Sequence, residues 1–560
     1  MGAAVRASVP EPPRWSWWLI VVAALGVVAP LSLAGLFGAL TIPHNDSWAE
    51  STIASTFTHT GHIRMVGWND MSLLGQIVVL APFGISVTVQ DLGVAVMAAG
   101  ALYATYRIAS KSVSTVPAVL IAGTLAIAPG WASLSTTYMT DVPALCAALL
   151  TVLLGHAAIE RDSRAWFAGS LVLGFWAFTI REPTIAALAG VLVHAIVRRS
   201  DGLRISRRFA FVATAVSVVL MVLFKAWRSG LPMGQNPPVS LNPVSILQAA
   251  FVNLPFGWVT LGFILIPVAA AYARPGRWSR RGWVGATVSA AIVLLAWRHG
   301  VEPLDNHPAP FIGNYMSFNG EYHFVGTYAH PVIARPIWAL LGLMGSIGAV
   351  LTGGAVADGW HRTDPLVRSF TAAAAAVTIG VATVGGVLYD RYLFVLVPGL
   401  ASAVVLSPGQ SRSPRRAGRI RQISAVASAL VVGTTALAMF VNANASDRAR
   451  WDAAEEVART GISPTTIDAG LEWDGWHAPA GVVEWNDWRL GAWSLFHPDS
   501  QPCVALVEEL YQPPSGWTRI RSLEYRTFGW LGHSAIGVYA TGAAGCQDQG
   551  LPSDGGPAGK

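Results

Sequence analysis

Charge is the scarcest property of this sequence. Only 12% of its 560 residues are charged, about half the level of soluble globular domains. Hydrophobic residues make up 53%, and mean hydropathy is +0.48. Cysteine is nearly missing, with three in the chain, which excludes a disulfide-dense secreted scaffold and thiolate zinc clusters. There is no G-x-x-x-x-G-K-[ST] and no G-x-G-x-x-G. Without those phosphate-cradling loops, a nucleotide-driven pump or a dinucleotide-binding domain has no foundation here. H-E-x-x-H and C-x-x-C are missing too. No A-x-A site follows the first apolar run, and that run, 15–38, exceeds a signal-peptide core, so it reads as an uncleaved first span.

What is there is a succession of apolar runs from Trp15 to Val441. Each is near the ~20 residues that a helix needs to cross a bilayer. In lipid only helices and closed barrels satisfy their own backbone. The chain therefore reads as an all-α polytopic membrane protein of about thirteen spans. The runs are 15–38, 90–107, 113–130, 142–159, 166–181, 184–198, 208–228, 249–272, 282–297, 332–356, 367–388, 391–408 and 422–442. The segment 71–88 is apolar enough to be another, but Gln76, Pro82 and Gly84 favour a juxtamembrane or re-entrant piece.

Basic residues bias short loops to the cytoplasm. Arg6 and Arg14, Lys111, Arg161 and Arg164, Arg198 to Arg208, Arg274 to Arg281, Arg362 and Arg368, and Arg412 to Arg421 fall on alternate loops. The opposite loops hold fewer: Arg64, Arg181, Arg228, Arg298, Arg335 and Arg391. That asymmetry accounts for the net charge of +6 without a nucleic-acid partner. It places residues 1–14 in the cytoplasm, 15–442 in the membrane, and a small α/β domain, 443–548, outside the plasma membrane, followed by a disordered tail, 549–560. In the outer domain "NASDRARWDAAEEVARTG" reads as an amphipathic helix, and "TTIDAGLEWDGWH", "PCVALVEEL" and "HSAIGVYAT" read as strands. Cys503 and Cys546 lie there and are a possible disulfide. Such a bridge closes about 43 residues and contributes roughly 4 kcal/mol by loop-closure entropy. Cys146 lies inside a span and reads as a small core residue.

Charge inside or beside apolar runs is costly and calls for a reason. Four such places fall on the outer face: Asp46 in "PHNDSWAES", Asp141 in "MTDVPA", Arg181–Glu182 in "TIREPT" and Asp390–Arg391–Tyr392 in "LYDRYLF". Read blandly, Asp46 and Asp141 are helix caps, and the other two are local ion pairs. Packing supplies no common reason for all four. "SWAESTIASTF" reads as a helix along the membrane surface with Trp48 at the interface. Seven of the 13 histidines, His44, His59, His62, His299, His307, His323 and His330, fall in outer loops. With a carboxylate they could hold a divalent metal, and Asp141 with His44 is the candidate pair.

These motifs, an early acidic site, "MTDVPA", "GFWAFTIREPT" and "LYDRYLFVLVP", resemble the GT-C superfamily of membrane glycosyltransferases. The likeness is to the family-39 type, which includes protein O-mannosyltransferases and lipid A aminoarabinose transferases. It implies a GT-C fold and inverting transfer of a sugar from a polyprenyl-phosphate donor to a glycan, lipid or protein acceptor in the cell envelope. By this resemblance Asp46 is the base, Asp141 helps form the polar or metal-bearing site, and Arg181 and Arg391 meet the carrier phosphate. Glu182, Asp390 and Tyr392 belong to the same substrate-binding motifs. The sequence departs from O-mannosyltransferases in one place. Asn45–Asp46 stands where they have an Asp-Glu doublet, with Glu50 one turn on, so the acceptor stays open. A transporter or flippase is the alternative, but internal repeats and mid-span polar residues are expected of it. A scaffold with an inactive site is a third reading, against which Asp46 and Asp141 both stand.

Overall fold

A computed structural model describes residues 17–68, 73–80, 86–198, 204–232, 242–300, 309–321, 332–384, 388–407, 415–478, 491–508, 513, 515–528, 532–543 and 546. Arg6, Arg14, Pro82, Gly84, Arg199, His307, His323, His330, Arg412 and the tail 549–560 lie outside the described residues. In chain order the helices are α1 (Trp17–Ala23), α2 (Ala29–Leu36), α3 (Ser47–Thr60), α4 (Leu74–Leu80), α5 (Val87–Ala109), α6 (Thr115–Ala126), α7 (Trp131–Ser135), α8 (Asp141–Glu160), α9 (Arg164–Ile180) and α10 (Ile185–Val197). They continue with α11 (Arg207–Ser229), α12 (Pro243–Gln248), α13 (Leu254–Tyr272), α14 (Arg280–Gly300), α15 (Arg335–Gly359), α16 (Pro365–Thr383), α17 (Val397–Val405), α18 (Arg415–Arg459), α19 (Leu471–His477) and α20 (Trp493–Phe496). One π turn joins α1 to α2 and another joins α12 to α13.

Among the described residues eight helical stretches are long and apolar enough to cross a membrane. They are Trp17–Leu36, Val87–Ala109, Asp141–Glu160, Arg207–Ser229, Pro243–Tyr272, Arg335–Arg362, Pro365–Thr383 and Gly418–Arg459. The apolar runs at 113–130, 166–181 and 184–198 form shorter helices, and the run at 391–408 opens with a 3-10 turn, Asp390–Leu396, that leaves α17 only nine residues. Apolar runs thus overstate helix length where a turn is built into the run. Among the described residues of the 71–88 segment, α4 spans seven, about 10 Å of helix against a hydrocarbon core of about 30 Å, and Val87 already begins α5.

The helices pack through small residues. A Cβ on Gly262 of α13 would strike Gly345 O of α15, and one on Gly348 would strike Gly262 O. Backbones at that distance gain dispersion contacts that larger side chains would forbid. α8 packs on α9 and α5, and α10 on α16. α8 and α16 both line the cleft described below.

The last span and the outer amphipathic helix, expected as separate pieces, form one continuous helix, α18, of 45 residues. Its C-terminal half lies on a four-stranded sheet. The strands are β1 (Ile467–Asp468), β2 (Val504–Glu508), β3 (Thr518–Thr527) and β4 (Gly532–Ala540), in the order β1-β2-β4-β3. β1 and β2 are parallel, with Ile467 opposite Val504, and the other pairs are antiparallel. Trp451, Ala454 and Val457 of α18 pack with Ile467, Trp473, Val504, Leu506, Ile536 and Val538. A disulfide joins Cys503, just before β2, to Cys546, beyond β4. One strand expectation needs correction, and one strand was not expected. "TTIDAGLEWDGWH" supplies only the two residues of β1 and then turns into α19. β3 escaped notice because a register shift between Arg519 and Arg521 breaks its alternation.

Candidate active site

The loop after α2 carries Asp46 to the start of α3, where its backbone carbonyl receives the helix's first hydrogen bonds. The side chain makes no cap. Oδ1 instead accepts from Trp68 Nε1 at 2.8 Å, and Oδ2 lies 3.7 Å from Arg391 Nη2. Asp141 opens α8, and it too makes no cap: Oδ2 lies 2.7 Å from Arg181 Nη1 and Oδ1 lies 3.5 Å from Arg391 Nε. Four residues spread over 345 positions of chain, Asp46 to Arg391, thus share one network. Within it the side chain of Asp46 is 21% exposed and that of Asp141 only 6%. Asp46 is the carboxylate that a solute can reach.

The two arginines are buried. Arg181 Nη1 donates to Thr140 Oγ1 at 2.9 Å, and its guanidinium lies 4.9 Å from the Tyr392 ring centre. Arg391 lies 4.9 Å from the Tyr389 ring and 5.7 Å from that of Tyr392. Aromatic faces stabilise such cations while leaving the N–H edge free. Among the described residues Nη2 of Arg181 and both Nε and Nη1 of Arg391 have no hydrogen-bond partner. Buried donors without acceptors are costly, and an anion is the natural complement.

A cleft leads to these groups. Asp141, Arg181 and Arg391 form its polar end. Ala144, Leu145 and Ala148 of α8 face Ala374, Val377 and Val381 of α16 along its apolar length.

Other expected site residues have different partners. Glu182 lies 3.0 Å from Lys225 rather than pairing with Arg181. Asp390 is buried, with Oδ2 accepting from the backbone N–H groups of Tyr315 and Met316 and Oδ1 from that of Arg391. It fixes the loop 309–321 against the site instead of facing a substrate. Trp48 is buried against Trp68 and Phe496, so it sits under the C-terminal domain and not at a lipid interface.

The metal pair does not fit. His44 Nδ1 is bonded to Asp447 Oδ2 at 2.7 Å and Nε2 to Ala39 O at 3.0 Å, which leaves neither nitrogen for a metal. Asp141 faces two arginines. Among the described residues no three His, Cys, Asp or Glu side chains gather as a metal site.

Sequence reading missed several members of the site. Glu50, buried on α3, has its pKa pushed well above the usual carboxylate range by burial and then by the charges of Asp46 and Asp141, with Arg181 and Arg391 opposing. Tyr138 and Tyr315 are buried alongside, and burial raises both phenols. Trp68 and Tyr315 carried no signal, because their partners are distant in sequence. Glu50 was visible one turn from Asp46, but nothing in the sequence signals that it is buried in the same site.

Residues 78–227 match the family described as dolichyl-phosphate-mannose-protein mannosyltransferase. That stretch contains Asp141 and Arg181 but neither Asp46 nor Arg391. No curated protein matches the chain. Among solved structures, the chain aligns with the apo crystal structure of ArnT from Cupriavidus metallidurans at 13% identity and a TM-score of 0.40, over 93% of this chain and 97% of that one. The same enzyme bound to undecaprenyl phosphate aligns at 12% identity and a TM-score of 0.36, over 94% and 98%. Likeness of that degree assigns no residue a role. Through the family match over 78–227, that part of the chain is similar to GT-C membrane glycosyltransferases of the family-39 type.

Proposed function

We propose that the protein transfers a sugar from a polyprenyl-phosphate donor to an acceptor hydroxyl on the outer side of the cell membrane, with inversion. The observation that carries this reading is the pair of buried guanidiniums, with unpartnered N–H groups, at the polar end of an apolar cleft. A lipid phosphate has both complements: an anion for Arg181 and Arg391, and a hydrocarbon tail for the walls of α8 and α16. Arginine meets phosphate oxygens bidentately, and out of water that interaction strengthens. The family match over 78–227 supports a donor of the same chemical kind.

Asp46 is the base. As the acceptor oxygen bonds to the sugar C1, its proton passes to Asp46, the C1–O bond to phosphate breaks, and polyprenyl phosphate leaves with the electron pair. Arg181 and Arg391 stabilise the charge that gathers on that phosphate. Asp141 holds both guanidiniums in place before the donor arrives. No step passes through a metal. We take 15–442 as the membrane part and 443–548 as an extracytoplasmic domain, with the N-terminus inside.

Transfer is tested in membranes with a panel of radiolabelled polyprenyl-phosphate sugars. Asp46→Asn should lower turnover about 10²–10⁴-fold, the usual loss for a positioned base, while carrier binding persists. Transport of a lipid-linked sugar without transfer would replace this reading with a flippase. Orientation is tested with Ser463→Cys in the turn after α18, which should react with an impermeant thiol reagent in intact cells; labelling only after lysis would reverse it.

A further inference from the structure

The outer domain reaches the segment around Asp46 at three points, residues 44, 45 and 48. His44 is bonded to Asp447 of α18. Asn45 donates its backbone N–H to Glu472 Oε1 of α19 at 3.2 Å. Trp48 lies beneath Gly475 of α19, where a Cβ would run into its ring, and makes an edge contact with Phe496 at 5.4 Å. Asp46 lies inside this bracket. Asn45 has φ +52°, a left-handed conformation that non-glycine residues seldom adopt. Such a residue persists only where its surroundings hold it. The amide bond to Glu472 holds it on one side, and its own Nδ2, donating to Tyr315 Oη at 3.4 Å, holds it on the other.

Resting on the base role given above to Asp46, we propose that Glu472 is a positioning residue: through the Asn45 amide it sets the direction of the Asp46 carboxylate, so that the outer domain completes the active site. The charged groups that face Glu472 are Asp447 and Arg450 of α18 and His44 of the loop. Without the bond, Asn45 relaxes from φ +52° toward ordinary backbone, and the next residue's carboxylate swings away from Arg391.

The experiment separates the length of the side chain from its charge. Glu472→Gln keeps the reach and an acceptor oxygen, whereas Glu472→Asp keeps the charge but is one methylene shorter. Glutamine should leave kcat near wild type. Aspartate should lower kcat about 10- to 100-fold, the scale of a small misplacement, with KM for the carrier unchanged. The reverse order, or equal effects, would overturn the proposal. A second readout needs no activity. Hydrogen exchange in the 42–50 segment should quicken in Glu472→Asp while the 467–478 segment keeps its protection. Unchanged exchange at 42–50 also overturns the positioning role. If the wild type transfers no sugar but the 42–50 segment loosens as expected, the anchoring stands and the base assignment fails.

Discussion

Trp68 and Asp46, 22 positions apart, are joined by an indole N–H donated to a carboxylate oxygen at 2.8 Å. The bond fixes one oxygen of Asp46 and leaves the other toward Arg391 at 3.7 Å. A hydrogen bond to a charged group contributes about 1.5–3 kcal/mol. Trp68→Phe keeps an aromatic ring beside Trp48 but removes the donor. Turnover should fall about tenfold or more on that energy scale, with carrier affinity unchanged. Steady-state kinetics with separate kcat and KM check it; a change in KM alone would make Trp68 part of the donor site.

Arg391→Lys keeps the charge but loses the flat fork that points toward both carboxylates. Lysine presents a point charge and cannot meet two phosphate oxygens in parallel. Carrier-lipid affinity, measured in nanodiscs at matched thermal stability, should drop while acceptor affinity stays. Equal affinities for wild type and variant would remove Arg391 from the phosphate site.

Asp141→Asn leaves Arg181 without its carboxylate and Arg391 with only the 3.7 Å contact to Asp46. Removing one partner from a buried ion pair costs about 3–5 kcal/mol. The melting temperature should fall, and polyprenyl phosphate should restore it by a larger increment than it gives the wild type, because a bound phosphate replaces the lost carboxylate. Melting curves with and without the lipid decide. A loss that the lipid does not repair would place Asp141 in packing alone.

Glu50 gives a stability signature in pH. Its pKa in the folded protein is raised above the ordinary 4.5, chiefly by burial. The folded state therefore holds the proton more tightly than the unfolded chain. The stability this contributes is complete below about pH 4.5 and is lost as pH rises through the folded value. Glu50→Gln, which cannot ionise, should match wild type near pH 4.5 and be the more stable protein at pH 8. A constant difference between the two across that range is the outcome that would falsify the assignment.

The membrane part was legible because lipid imposes a compositional rule on every span, so apolar runs identified most helices. Their number was less legible, since Asp390 turns the last short run into a 3-10 start that hydropathy does not register. Asp46, Asp141, Arg181 and Arg391 were visible because each is a charge beside an apolar run. Their pairing was not visible: Arg181 meets Asp141 rather than its neighbour Glu182, and the Arg391 guanidinium meets Asp141 and Asp46 while Asp390 takes the Arg391 backbone N–H. Sequence adjacency suggested the wrong partners because geometry at a helix end turns neighbours in different directions. Glu472, Trp68 and Tyr315 lay beyond reach for another reason. Each acts through a contact with a distant segment, and a single sequence has no record of such contacts.

The unbroken helix α18 makes bilayer thickness a variable of this protein. Its 45 residues extend about 68 Å, more than twice a hydrocarbon core of about 30 Å. No joint separates the half that sits in hydrocarbon from the half that carries the sheet. A helix in a mismatched bilayer tilts to hide its apolar length, and here any tilt must swing the sheet and α19 with it, and so the loop that α19 grips. Reconstitution in short-chain and long-chain lipids should change turnover several-fold, on the scale by which small misplacements act, while carrier affinity stays constant. A flat response would mean that the C-terminal domain moves independently of the helix it is built on.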